Sequence, residues 1–110
     1  MKNAIKTKHN LDFESRAWWL NPKYYEFRVG TCHGLWSYDD KNLIIMAIRN
    51  YAPHNGHLDD VFEWFENSCR RYRMNLKVIE ITNEAFYLHL INKRGFEPIN
   101  KENVIKKFKK

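Results

Sequence analysis

Between Ala52 and Leu58 the chain reads APHNGHL, a Gly flanked by His residues just ahead of a helical pattern. Amides at a helix start have no acceptor inside the helix, the helix dipole favours an anion there, and a Gly lets a phosphate approach the backbone. The segment can therefore seat a phosphate-bearing ligand, or it can be a connecting turn that uses Gly for its geometry. His54 and His57 lie three apart, and Cys32 and His33 adjoin elsewhere, but no carboxylate or second Cys completes a ligand spacing. No metal is expected. Spacing alone flags no Ser/His/Asp or Cys/His arrangement either. Trp18, Trp19 and Trp36 read as core filler rather than as stacking platforms for bases.

The net charge is +6, and the last ten residues, KENVIKKFKK, hold five Lys against one Glu, so most of the excess sits at one end. Such a cluster reads as a solvated edge, with nucleic-acid contact through these lysines as the alternative. A chain of 110 residues fits one domain spanning 1–110. Its longest apolar run, Leu43 to Ile48, is too short to cross a bilayer, and MKNAIKTKHN lacks the apolar stretch of a secretory signal. A cytoplasmic protein without a membrane partner is expected. Cys32 and Cys69 stand alone and read as reduced thiols.

These residues must be positioned by a mixed α/β arrangement. LDFESRAWWL, Leu11 to Leu20, groups Leu11, Trp18 and Trp19 at helical spacing before Asn21 and Pro22, which predicts a short helix. KYYEFRV and LWSYDD, with Gly30 and Gly34 bracketing a turn, predict a hairpin. Asn42 to Asn50 is apolar on both parities until Arg49, the pattern of a central strand covered on both faces. In LDDVFEWFENSCRRYR the residues Leu58, Val61, Phe62, Phe65, Cys69 and Tyr72 form one stripe, with Asp59 and Asp60 in the first turn and Arg70, Arg71 and Arg73 in the last. LKVIEI predicts a further strand. Asn83 then caps a helix that ends in Lys93, Arg94, Gly95 and Phe96, on which Ala85, Leu88 and His89 share one side. FEPINKENVIKKF fits two short strands about a polar turn at Asn100 to Asn103.

This order resembles the GNAT N-acetyltransferase superfamily, in particular short GNAT-like proteins of phages. MAIRNYAPHNGHLDDVFEWFE resembles the family's fourth strand, pyrophosphate loop and third helix, and VIEITNEAFYLHLINKRGF its fifth strand and fourth helix. The resemblance implies a single GNAT-like domain, an α/β (α+β) fold with a central mixed β-sheet flanked by helices. It implies acetyl-CoA as cofactor, lying in a splay between the fourth and fifth strands. The implied contacts are Ile48, Arg49, Asn50, His54, Asn55, Gly56, His57, Leu58 and Asn83. Three positions depart from the pattern: Pro53 and Leu58 replace the basic and second small residue of the loop, and Leu90 or Ile91 stands where a Tyr often protonates the leaving thiolate. His89 is the titratable residue nearest that Tyr and is the candidate acid, with Asp39, His33 and Glu80 as candidate bases. The segment before the central strand leaves room only for shortened substrate-covering helices.

Two function classes stay open. One is an acetyltransferase acting on an amine substrate. The other is a GNAT-fold binding protein without turnover, a phage factor that engages a host protein, since a fold does not settle a function.

Overall fold

Asp12–Ala17 alternates Asp12, Glu14 and Arg16 with Phe13, Ser15 and Ala17, and this period of two decides the local structure. The segment expected as a helix is instead strand β2 (Asp12–Ala17), paired antiparallel with β3 (Tyr25–Val29). The structure, a computed structural model, describes residues 5–6, 11–50 and 56–108. Strand β1 (Ile5–Lys6) pairs with β2 on the outer side. β3 turns at Gly30 and Thr31 into β4 (Cys32–Tyr38), the expected hairpin, although Gly34 lies within β4 rather than at its start.

Strand β5 (Asn42–Asn50) runs antiparallel to β4. Helix α1 (His57–Tyr72) then leads to β6 (Asn75–Ile79), parallel to β5. Helix α2 (Glu84–Arg94) and the antiparallel pair β7 (Glu97–Pro98) and β8 (Val104–Lys106) complete the described chain. The result is a single compact α+β domain, a seven-stranded mixed sheet with two helices, lengthened at one edge by β1. The strand order is β1-β2-β3-β4-β5-β6-β8-β7. Its radius of gyration, 13.3 Å, meets the value of about 13 Å for a compact chain of this size.

Helix α1 buries Val61, Phe62, Phe65 and Cys69 completely, and each fully buried aromatic or aliphatic side chain contributes about 1.5–3 kcal/mol. The expected stripe is one residue too long: Tyr72 is exposed, because the helix ends at Arg73 in the left-handed region, its N–H on the Cys69 carbonyl. On α2 the Asn83 side chain accepts the Phe86 N–H at 2.9 Å, and Gly95 at φ 79° ends the helix with Phe96 buried beneath it. The packed side is Phe86, Tyr87, Leu90 and Ile91, whereas Ala85 and Leu88 face solvent.

Both helices lie on one face. Phe62 meets the rings of Phe86 and Phe96 at 6.1 and 5.9 Å, which sets α2 beside α1. The buried members of the strands, Phe27, Val29, Leu43, Ile45, Leu76, Val78 and Val104, point to that face. β5 is therefore covered on one face only by the described elements. Ile44 and Met46, of the other parity, are half-buried and lie outside the helix-side core.

Two further expectations change. Trp19 is 82% exposed on the β2–β3 connection; Trp64 instead joins the core, stacked on Phe13. The lysine-rich end is not one solvated edge: β8 is inserted between β6 and β7, and Lys106 turns inward to Glu66 at 3.3 Å. Lys109 and Lys110 lie outside the described residues.

Candidate functional site: the opening between β5 and β6

The parallel ladder of β5 and β6 runs from Asn42 opposite Asn75 to Met46 opposite Ile79 and stops there. β6 then leaves the sheet line. Glu80 adopts φ 57°, its N–H donates to the Asn103 side chain at 2.9 Å, and the Ile81 N–H donates to the Glu102 carbonyl at 2.9 Å, so the chain leans toward the β7–β8 turn. β5 continues for four residues, Ala47 to Asn50, held by β4 alone among the described strands.

A bulge on the β4 side of β5 lies just beyond this last pair. Leu35 pairs with Met46 and His33 with Arg49, so Gly34 alone stands opposite Ala47 and Ile48. Ala47 has φ 54°, and a Cβ at Gly34 would come within 2.7 Å of the Ala47 carbonyl oxygen and 3.0 Å of the Ile48 Cα. The extra residue reverses the parity of the last part of β5: Ile48 packs on the helix-side core and Arg49 is exposed on the other face. A backbone edge inside a sheet, beside the carboxyl ends of parallel strands, can pair with an extended ligand carrying amide groups.

The start of α1 closes one end of this opening. Gly56 caps the helix at φ 84° without a side-chain bond, and the first intrahelical bond runs from the Asp60 N–H to the Gly56 carbonyl. Side chains of the first turn fold back from the helix end. Leu58 packs on the core. The His57 Nδ1 accepts the Thr31 N–H at 3.0 Å, which leaves the hydrogen of the neutral ring on Nε2, and the Thr31 hydroxyl donates to the Asn50 side chain at 2.7 Å. The turn after β3, the end of β5 and the start of α1 are thus tied together through Thr31. Asp59 pairs with Arg94 at 2.6 Å, and Asp60 is fully buried, where its charge adds to the burial that pushes the Cys32 thiol up to about 11.

Of the sequence-derived contacts, Ile48, Arg49, Asn50, Gly56, His57 and Leu58 gather at this end of the sheet, and Asn83 caps the helix that comes after β6. His54 and Asn55 lie outside the described residues. His89 lies elsewhere, in a groove of about 460 Å³ between α1 and α2 with Asp59, Glu63, Glu66, Asn67, Arg70, Lys93 and Arg94. The stripe that α1 turns to the sheet is on a different side of the helix from those groove residues. Leu90 is buried and Ile91 half-buried, and neither carries a proton to give. The phenol on this helix is Tyr87, whose hydroxyl donates to the Asn100 carbonyl at 2.7 Å. Asp39 is tied in the β4–β5 turn to the amides of Lys41 and Asn42, both at 2.8 Å, at the opposite end of β5 from the opening. His33 sits on β4 opposite Arg49, beside the bulge, and Glu80 at the end of β6.

Cys32 and Cys69 are free and buried, and burial pushes the Cys69 thiol up to about 12. Neither is the thiolate that nucleophilic or metal chemistry requires. Among the described residues no group of three or more His, Cys, Asp or Glu side chains converges on a metal-sized site, and no helix is long and apolar enough to cross a membrane. Compared with known proteins, the sequence matches no family model, and no curated protein matches it.

Proposed function

We propose that the protein is a GNAT-type N-acetyltransferase that takes acetyl-CoA into the opening between β5 and β6 and acetylates an amine. The observation that carries this reading is the end of the parallel ladder at Met46 and Ile79, with the Ala47–Ile48 bulge just beyond it. The resemblance calls for a splay between these two strands. The pantetheine arm of a CoA carries two amides, and the edge of β5 from Ala47 to Asn50, paired with β4 alone among the described strands, offers a backbone for them.

The first turn of α1 suits a pyrophosphate better than the sequence suggests. The bulky Leu58 packs on the core, the His57 ring is engaged by Thr31, and the Asp59 charge is balanced by Arg94. The amides after Gly56 then face an anion with the Asp59 carboxylate drawn to Arg94.

Acetyl-CoA supplies a thioester whose carbonyl carbon takes the amine nitrogen as the carbon–sulfur bond breaks, the amine proton ending on the CoA sulfur. The backbone amides about the bulge can orient and polarise a carbonyl placed along β5, a contribution that rests on preorganised donors rather than on an ionisable side chain. His33 and Glu80 stand nearest the opening as acceptors of the amine proton, and Asp39 is too far along β5 to serve. The sulfur side lacks an ionisable donor of the expected kind, so water or Tyr87, after release from Asn100, protonates it.

One observation favours the second reading, a GNAT-fold protein that binds a host partner without turnover: His89 lies in the interhelical groove with α1 residues. Calorimetry with acetyl-CoA and with CoA, then an acetyl-transfer assay on polyamines, peptides and small amines, separates the readings. Binding with transfer supports the enzyme, and binding without transfer the second reading. Absence of binding at millimolar acetyl-CoA removes the first.

A further inference from the structure

The face of the sheet turned away from the helices carries an apolar patch with one charged residue, Lys77, inside it. Leu35, Met46 and Ile79 are register partners across β4, β5 and β6, and Glu26 continues the same row on β3. The next row runs Ser37, Ile44, Lys77 and Ile105 from β4 to β8. The five apolar residues of the two rows are half-buried by their strand neighbours, and none belongs to the helix-side core. A strand such as β5, apolar on both parities, belongs in a sheet with both faces covered. Among the described residues both helices lie on the other face.

We infer that a second copy of the chain covers this face, the two sheets packing face to face about a two-fold axis that runs along the strands between β4 and β5. The axis sets Leu35 of one copy over Met46 of its partner and the reverse, an isologous contact that closes at two copies. Sheets packed in this way stand about 10 Å apart with their strands within about 30° of alignment. The charges of the rows agree with the operation: Glu26 borders the patch on β3 and Lys77 lies within it on β6, in adjacent rows on opposite sides of the axis, so each Lys77 comes within reach of the partner's Glu26 side. A partner of one dominant charge fits less well, because β2 and β3 set Glu14 opposite Arg28 and Arg16 opposite Glu26. Five strands at about 4.8 Å spacing and about five residues at 3.3 Å offer a face on the order of 20 by 17 Å. That falls below the roughly 800 Å² per partner of tight complexes, so the dimer is concentration-dependent.

Sedimentation equilibrium of the purified chain from low micromolar to several hundred micromolar tests this. The expected mass rises from the monomer's 13.4 kDa toward twice that value. Met46→Glu should hold it at the monomer with an unchanged circular dichroism spectrum, while Leu88→Glu, on the outer side of α2, should leave association as it is. Should Met46→Glu fail to fold, Lys77→Glu, which sets two carboxylates against each other, should weaken the dimer at least tenfold, and adding Glu26→Lys should restore it. A wild-type mass of 13.4 kDa throughout, or association unaffected by these changes, overturns the inference.

Discussion

Gly34 on β4 and Ala47 on β5 stand so close that a Cβ on Gly34 would lie 2.7 Å from the Ala47 carbonyl oxygen. The glycine is what allows two residues of β5 to face one residue of β4, just beyond the last β5–β6 pair at Met46. Gly34→Ala should destabilise by about 1–3 kcal/mol, the usual cost of overpacking, because the contact is with backbone and cannot relax by a side-chain turn. The same variant should lose acetyl-CoA binding at temperatures where it is still folded, which a thermal-shift titration reads directly.

Gly30→Ala tests the other tie at this end. At φ 57° any side chain is strained, and a Cβ there collides with the His57 imidazole. The variant should displace His57 from Thr31 and lose about 1–2 kcal/mol from the left-handed conformation alone. Urea denaturation measures the loss, and His57→Ala in the same background should recover part of it.

The fold and the site are legible in the sequence to different degrees. α1 declares itself through its apolar stripe and end charges, and α2 through Asn83, Gly95 and Phe96, because capping is local chemistry. β2 reads falsely as a helix because the helical grouping uses Leu11, Trp18 and Trp19, residues outside the strand, and passes over the alternation of Asp12, Glu14 and Arg16. The bulge leaves no mark on its own strand, since Ala47 is an ordinary residue held at positive φ by its neighbours. Its signal is Gly34, on a different strand, which only the register connects to it. The insertion of β8 between β6 and β7 is likewise a matter of tertiary order that residue patterns do not carry.

Lys106 and Lys107 should behave differently although they are adjacent. Lys106 reaches Glu66 at 3.3 Å, and the Glu66 carboxylate, almost fully buried, also meets Arg94 at 3.7 Å and Arg70 at 3.8 Å. Lys106→Met should cost about 1.5–3 kcal/mol, the scale of a hydrogen bond to a charged group. Lys107→Gln, at an exposed position, should stay within about 0.5 kcal/mol of wild type. Chemical denaturation of the two variants makes the comparison.

Stability should fall at alkaline pH through the two thiols. The ordinary value is 9.0, and burial raises Cys32 to about 11 and Cys69 to about 12. Above pH 9 an unfolded chain releases thiol protons that the folded chain keeps, so the contribution is intact below pH 9 and is lost as pH rises through about 11 and 12. On the acid side the Lys41 amide, then the Asn42 side chain, hold the Asp39 carboxylate below its usual 3.8, and that contribution disappears as pH falls through the lowered value. Urea melts across pH track both trends, and neither Cys should react with a disulfide reagent near neutral pH until the chain unfolds.

Isothermal titration calorimetry of the wild-type chain with acetyl-CoA, alongside Gly34→Ala, tests the central claim most directly. The opening between β5 and β6 should give saturable binding at one site per chain in the wild type and none in the folded variant. Equal binding by both proteins, or no heat from the wild type at millimolar acetyl-CoA, would contradict it.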